Sequence, residues 1–71
     1  MNNIKSKFGN KLRELRKRKG LSQENFAGLA DIDRTYIADI ENGKRNVSII
    51  IVEKIAKAFE ISISDLFSDI E

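Results

Sequence analysis

Residues 23–42 read QENFAGLADIDRTYIADIEN, and the pattern of this stretch decides the fold. Ser22 stands just before it and can cap a helix start with its hydroxyl. Phe26, Ala27, Leu29 and Ala30 then fall on one face of the helix that follows. A second N-cap residue, Asp33, opens RTYIADIE. At about 100° per residue, Tyr36, Ile37, Ile40 and Glu41 share one arc of that second helix. Arg34, Thr35, Ala38, Asp39 and Asn42 share the opposite arc. The first arc suits a core. The second is a row of short or hydrogen-bonding side chains with no large apolar residue.

Two short helices joined by a turn of three or four residues, the second with a polar outer face, form the layout of a helix-turn-helix unit. The longer string LSQENFAGLADIDRTYIADIENGKRNVS resembles the helix-turn-helix of phage-repressor-like (XRE-type) regulators. The shared features are Ser22-Gln23 opening the first helix, Ala near its middle, Ile37 in the second helix and the closing run Ile40 to Gly43. The resemblance extends from LRELRKRKG to ISDLF. Within the family, DRTYIADIENGKRNVS looks most like the controller proteins of bacterial restriction–modification systems. One departure is Asp31, where the family often has Gly. A left-handed backbone there costs Asp more than Gly, though less than a β-branched residue. The resemblance implies an all-α, five-helix, phage-repressor-like domain. Its implied function is sequence-specific binding of double-stranded DNA by a homodimer on a near-palindromic operator, in order to regulate transcription.

Composition agrees with a small regulator. Seventy-one residues make one domain, read here as 1–71, and a chain this short is marginal on its own unless idealised or oligomeric. Cysteine and histidine are absent, which removes disulfides, thiol chemistry and the favoured zinc ligand and general base. No apolar run is long enough for a membrane span and no signal-peptide pattern opens the chain, so a soluble, cytoplasmic protein is expected. The net charge is only +2, but it is unevenly spread. KSKFGNKLRELRKRKG is strongly basic and the closing SDLFSDIE is acidic, which suggests one side that faces a polyanion. The competing explanation of that charge is a solvated surface.

The helix starts repeat one device. Leu21-Ser22 precedes Phe26, Ile32-Asp33 precedes Ile37, Val47-Ser48 precedes Val52 and Ile61-Ser62 precedes Leu66. Each pair is an apolar residue and a cap, with another apolar residue four after the cap: the hydrophobic staple. Before these four comes helix 1, expected from about Asn3 to Lys19, with Ile4, Phe8, Leu12 and Leu15 as its stripe and Gly20 as its left-handed stop. Helix 4 is expected over Ile49 to Phe59, with Ile49, Val52, Ile55, Ala56 and Phe59 facing the core. Helix 5 is expected from Ile63 to Ser68, extendable to Ile70.

Candidate contacts follow from position. Recognition helices present their first turn to base edges, so Arg34 can bond guanine bidentately and Thr35 can meet a thymine methyl or a phosphate. By resemblance, these two match the family's main base-reading positions. Asp39 lies on the same arc; it accepts from cytosine N4, or only holds Arg34 in place, or repels the wrong register. Tyr36, at the edge of the core arc, either reaches DNA through its hydroxyl or only packs. Gln23 matches the family's phosphate-binding Gln, at a helix start whose free N–H groups also favour an anion. Asn42, Lys44 and Arg45 flank Gly43 in a loop suited to the sugar-phosphate backbone, with the minor groove a further option for Arg45. By the same resemblance, Arg16 and Glu41 match a structural ion pair joining helix 1 to the end of the recognition helix.

Dimerisation is expected through helix 5 and the adjoining flank of helix 4. Ile63, Phe67 and Ile70 exceed what a short terminal helix needs for docking, and Ile50 and Ile51 fall off the core arc of helix 4. No acidic pair in a recognisable site and no Gly-rich phosphate loop is present, so an enzyme is not expected, nor a cofactor, metal or small-molecule effector. The alternative is an antitoxin that binds both DNA and a protein partner; the chain shows no extra tail for such a partner. Single-stranded RNA readers need stacking aromatics, which are sparse here.

Overall fold

The computed structural model describes residues 3–70. Among them are five helices and no strand: α1 (Ile4–Arg18), α2 (Gln23–Ala30), α3 (Arg34–Glu41), α4 (Ile49–Phe59) and α5 (Ile63–Leu66). Helix α1 packs on α3, α2 packs on both α3 and α4, and α5 closes against α4.

All four expected caps close their helices. The hydroxyls of Ser22, Ser48 and Ser62 accept from the backbone N–H groups of Asn25, Ile51 and Asp65 at 2.9–3.1 Å. The carboxylate of Asp33 accepts from the Thr35 N–H at 2.9 Å. A fifth cap, Asn3, accepts from the Ser6 N–H and starts α1. Helix ends are equally regular. The N–H groups of Leu21, Ile32, Lys44 and Ile61 each return to the carbonyl five residues back, on Arg16, Ala27, Asp39 and Ala56. The residue before each donor is left-handed: Gly20, Asp31, Gly43 and Glu60, with φ between 57° and 72°. This is the Schellman ending, and it uses glycine at only two of four sites. The turn after α2 therefore keeps left-handed geometry with Asp in the glycine position.

In three joints the same apolar residue serves both helices. Leu21, Ile32 and Ile61 end one helix and act as the staple of the next, and each packs on the core. The core itself is built from Phe8, Leu12, Phe26, Ile37, Ile40, Val52, Ile55, Phe59 and Leu66, with small Ala27, Ala30 and Ala56 between them. Phe26 and Phe59 stack with centroids 4.4 Å apart, locking α2 onto α4.

Three expected core residues lie outside it. Ile4 is 59% exposed, Leu29 62% and Ile49 82%. Ile4 and Ile49 are the first residues of their helices, where no neighbouring element covers the outer turn. Leu29 belongs to α2, whose buried residues are Phe26, Ala27 and Ala30. Helix α5 is also shorter than expected. It stops at Leu66, with Phe67 as its C-terminal cap and the Phe67 ring stacked on Phe8 at 5.2 Å. The Ser68 hydroxyl donates to the Asp65 carbonyl and Lys11 donates to the Ser68 carbonyl, which satisfies backbone groups of that short end. Ile70 lies beyond the helix and packs against the core, so the apolar face expected to run on to it is broken.

Candidate nucleic-acid interface

The outward end of α3 carries Arg34 and Thr35, both exposed. Asp33 satisfies a free N–H of the first turn, so these two side chains are not needed for local structure. Among the described residues, Arg34 has no ion pair or hydrogen bond. Its guanidinium is free to take an external acceptor.

The other end of α3 is held from behind. The Glu41 carboxylate is inaccessible to solvent and receives three side chains. Arg16 donates twice, from Nε at 2.7 Å and a terminal nitrogen at 3.1 Å. Arg13 donates through Nε at 3.3 Å, and Gln23 through its amide at 3.1 Å. Arg16 also donates to the Leu21 carbonyl, and Arg13 to the Glu41 carbonyl and the Asn42 side chain. Burial alone pushes the Glu41 carboxyl upward. The bonds from Arg16, Gln23 and Arg13, with the Arg16 charge, outweigh burial and hold it below the usual glutamate range. The Glu41 bonds likewise raise the Arg16 guanidinium against its own burial. The expected Arg16–Glu41 pair is thus the centre of a four-residue cluster that ties α1 and α2 to the end of α3.

Gln23 is bound into this cluster by one amide N–H, which leaves the other for an external anion. Asn42 is exposed and accepts from Arg13, while Lys44 projects into solvent. Asp39 does not hold Arg34. Its carboxylate accepts from Arg45 Nε at 3.2 Å, and the Arg45 guanidinium lies over the Tyr36 ring, 4.6 Å from its centroid. Arg34, Thr35, Asp39, Asn42, Lys44 and Arg45 therefore occupy the outer face of α3 and the loop that follows it.

Two glycines set this face in place. A Cβ on Gly9 would fall on the backbone carbonyls of Ile40 and Glu41, so α1 and α3 approach at a point that only glycine permits. Gly43 is left-handed, and a Cβ there would lie 2.7 Å from the Ser6 hydroxyl. Gly9 and Arg13 escape sequence reading. A glycine inside a helix can mark a close approach, whereas Arg13 is one cation among many in a basic segment.

A turn-joined helix pair, backed by a buried ion cluster and faced with free hydrogen-bonding side chains, defines a helix-turn-helix protein. The chain belongs to the helix-turn-helix family HTH_3, whose sequence profile matches residues 12–66. It is 61% identical to the control protein C.MunI of Mycoplasma sp, across 100% of this chain and 97% of that one. Its fold is similar to the crystal structure of the restriction–modification controller protein C.AhdI from Aeromonas hydrophila. That match has a TM-score of 0.85 at 49% identity, over 89% of this chain and 96% of the other. The controller protein C.Esp1396I, solved as a tetramer in complex with its natural 35 base-pair operator, is similar at a TM-score of 0.85 and 36% identity, over 94% of this chain and 88% of that one.

Proposed function

We propose that this chain is a cytoplasmic transcriptional regulator of the restriction–modification controller kind, binding duplex DNA in a sequence-specific way. The observation that carries this reading is the free first turn of α3. Arg34 and Thr35 are exposed and unoccupied at the end that enters a major groove, on a helix fixed from behind through Glu41. Arg34 reads a base edge. Thr35 meets a base or a phosphate. Gln23, Asn42 and Lys44 take the sugar-phosphate backbone and set register.

The regulator acts as a homodimer on a near-palindromic operator, with half-sites about 10–10.5 bp apart or a multiple. Ile50, Ile63 and Phe67 are exposed and supply the apolar part of the dimer surface, while Ile51 and Ile70 are half-buried against the core. A shallow groove of about 340 Å³ lies beside Phe67, with Ile4, Phe8, Ile49 and Val52 on its apolar wall and Lys5 and Arg45 at its polar edge. The antitoxin alternative is not favoured, because the relatives are control proteins.

Selection of duplexes from a random library, read by gel shift, tests the function. One sequence family should be enriched, and its affinity should fall by roughly 10³–10⁵ between 50 and 200 mM salt. A folded protein that enriches no duplex overturns the proposal. Sedimentation tests the dimer: Ile50→Lys and Ile63→Asp should dissociate it, and a dimer indifferent to both places the contact elsewhere.

A further inference from the structure

Arg45 is exposed, yet it is already held. It belongs to the loop after α3 and lies six residues beyond Asp39 in the chain. The left-handed Gly43 folds that loop back, and the Lys44 N–H closes on the Asp39 carbonyl at 2.9 Å. Arg45 then returns along the outer face of α3. Its Nε donates to Asp39 at 3.2 Å and its guanidinium carbon lies over the Tyr36 ring. Tyr36 and Asp39 are three apart in α3, so they are surface neighbours that offer a ring and a carboxylate to one guanidinium.

An ion pair this exposed contributes little to stability: the side chains of Arg45 and Asp39 are 45% and 29% accessible. Its effect is on geometry. Arginine carries five N–H donors in a planar fork. Asp39 takes the Nε edge and Tyr36 takes one face, while the terminal nitrogens have no bond among the described residues. Those nitrogens bear the donors that suit a guanine edge or a phosphate. A free arginine loses its rotamer freedom on binding, whereas one fixed beforehand has already lost much of it.

We infer that Asp39 and Tyr36 are positioning residues that preset Arg45 as a second reader of the duplex, next to Arg34. This rests on the DNA-binding function proposed above. Asp39 then acts through Arg45 and touches no base itself. Its negative charge on a DNA-facing surface, otherwise unfavourable, is neutralised within the pair.

A double-mutant cycle on the selected operator and all its single-base variants tests this. Arg45→Ala should flatten discrimination at one or two positions of each half-site, by about 5- to 150-fold if the lost contact is bidentate. Asp39→Asn should flatten the same positions by a smaller factor, and should do nothing further in the Arg45→Ala background. Discrimination lost at a different position, or lost again in that background, makes Asp39 a direct base contact and overturns the inference. Binding that Asp39→Asn tightens evenly to every duplex also overturns it, because the carboxylate then only repels phosphate. A readout without DNA is the NMR signal of the Arg45 Nε–H. It should be sharp and protected in the wild type and should broaden in Asp39→Asn and in Tyr36→Leu; a signal unchanged in both removes the preset geometry. Thermal unfolding of each variant checks folding. If the wild type enriches no duplex, the function fails; if it does and the cycle is additive, only this inference fails.

Discussion

Three of the four connections between helices are tight joints, and the fourth is an open loop. Gly20-Leu21-Ser22, Asp31-Ile32-Asp33 and Glu60-Ile61-Ser62 share one grammar: a left-handed residue, an apolar residue, a cap. The apolar residue ends one helix and staples the next. After α3 the left-handed residue is still there, as Gly43, but the next position is Lys44, and the staple and cap wait until Val47 and Ser48. Lys44 has no core to pack on. The end of α3 is fastened instead by polar groups from behind, Arg13, Arg16 and Gln23 on Glu41. The difference separates two tasks. A joint spends its side chains on packing, whereas this loop leaves Lys44, Arg45 and Asn46 on the surface while its root stays rigid. Loops on rigid supports are where binding residues concentrate.

Breaking the polar fastening should have the largest effect. Glu41→Gln leaves the Arg16 guanidinium, only 11% accessible, facing a neutral amide. The expected loss is about 3–5 kcal/mol, the range for uncoupling a buried pair, and urea denaturation measures it. The pH dependence has a definite sign. The Glu41 carboxyl is lower in the folded than in the unfolded state, so its stabilisation is complete above the ordinary glutamate range. It disappears as pH falls through the folded value. The acid limb of stability against pH should therefore be steeper in the wild type than in Glu41→Gln. Equal limbs would mean that the cluster contributes no net stability.

Breaking a joint comes second. Ile32 is buried between α2 and α3, and Ile32→Ala should cost about 2–3 kcal/mol, the lower part of the range for such truncations because the site keeps some contact with solvent. Near-zero loss by calorimetry would show that the shared apolar residue is not what fastens the joint.

This contrast also explains which features sequence alone revealed. Caps and staples lie within five residues of one another, so the four helix starts could be read directly, and so could the left-handed stop at Gly20. Periodicity states which residues share an arc but not how wide the neighbouring element is. Periodicity therefore assigns Ile4, Leu29 and Ile49 to a core that does not reach them. The early end of α5 was hidden in the same way, because the apolar pattern continues past Phe67, the residue that caps the helix. Within the interface, the outer arc of α3 was legible residue by residue. The pairing of Asp39 with Arg45 rather than Arg34 was not, because it depends on how Gly43 folds the chain back. Arg13 and Gly9 act across the α1–α3 contact, which no local pattern encodes.

A smaller effect sharpens the joints themselves. Glu60 adopts φ 58°, a conformation that costs an L-residue roughly 1–2 kcal/mol, partly offset by the extra entropy glycine loses on folding. Glu60→Gly should therefore stabilise by roughly 0.5–1 kcal/mol, raising the melting temperature by roughly 3–6 °C. Asp31→Gly should gain less. Asp tolerates the left-handed region better, and Lys54 donates to the Asp31 carbonyl, fixing the turn. A larger gain at Asp31 than at Glu60 would reverse this ranking of strain.

The smallest effect on stability belongs to the loop, and it carries the most functional information. Lys44 occupies the position that Leu21, Ile32 and Ile61 hold in the joints, yet it is exposed. Lys44→Ala removes no packing, so its melting curve should stay within about 0.5 kcal/mol of the wild type. On the proposed function Lys44 meets a phosphate, and a phosphate contact carries no sequence information. Affinity should fall by a similar factor for every operator variant, and the slope of log affinity against log salt should shrink by about 1. Arg34→Ala provides the contrast, losing about 1–3 kcal/mol of discrimination at a single base pair of each half-site. If Lys44→Ala instead alters preference at one base pair, Lys44 reads sequence. If it destabilises the fold as Ile32→Ala does, this loop is a joint after all, and the distinction between the two kinds of connection is lost.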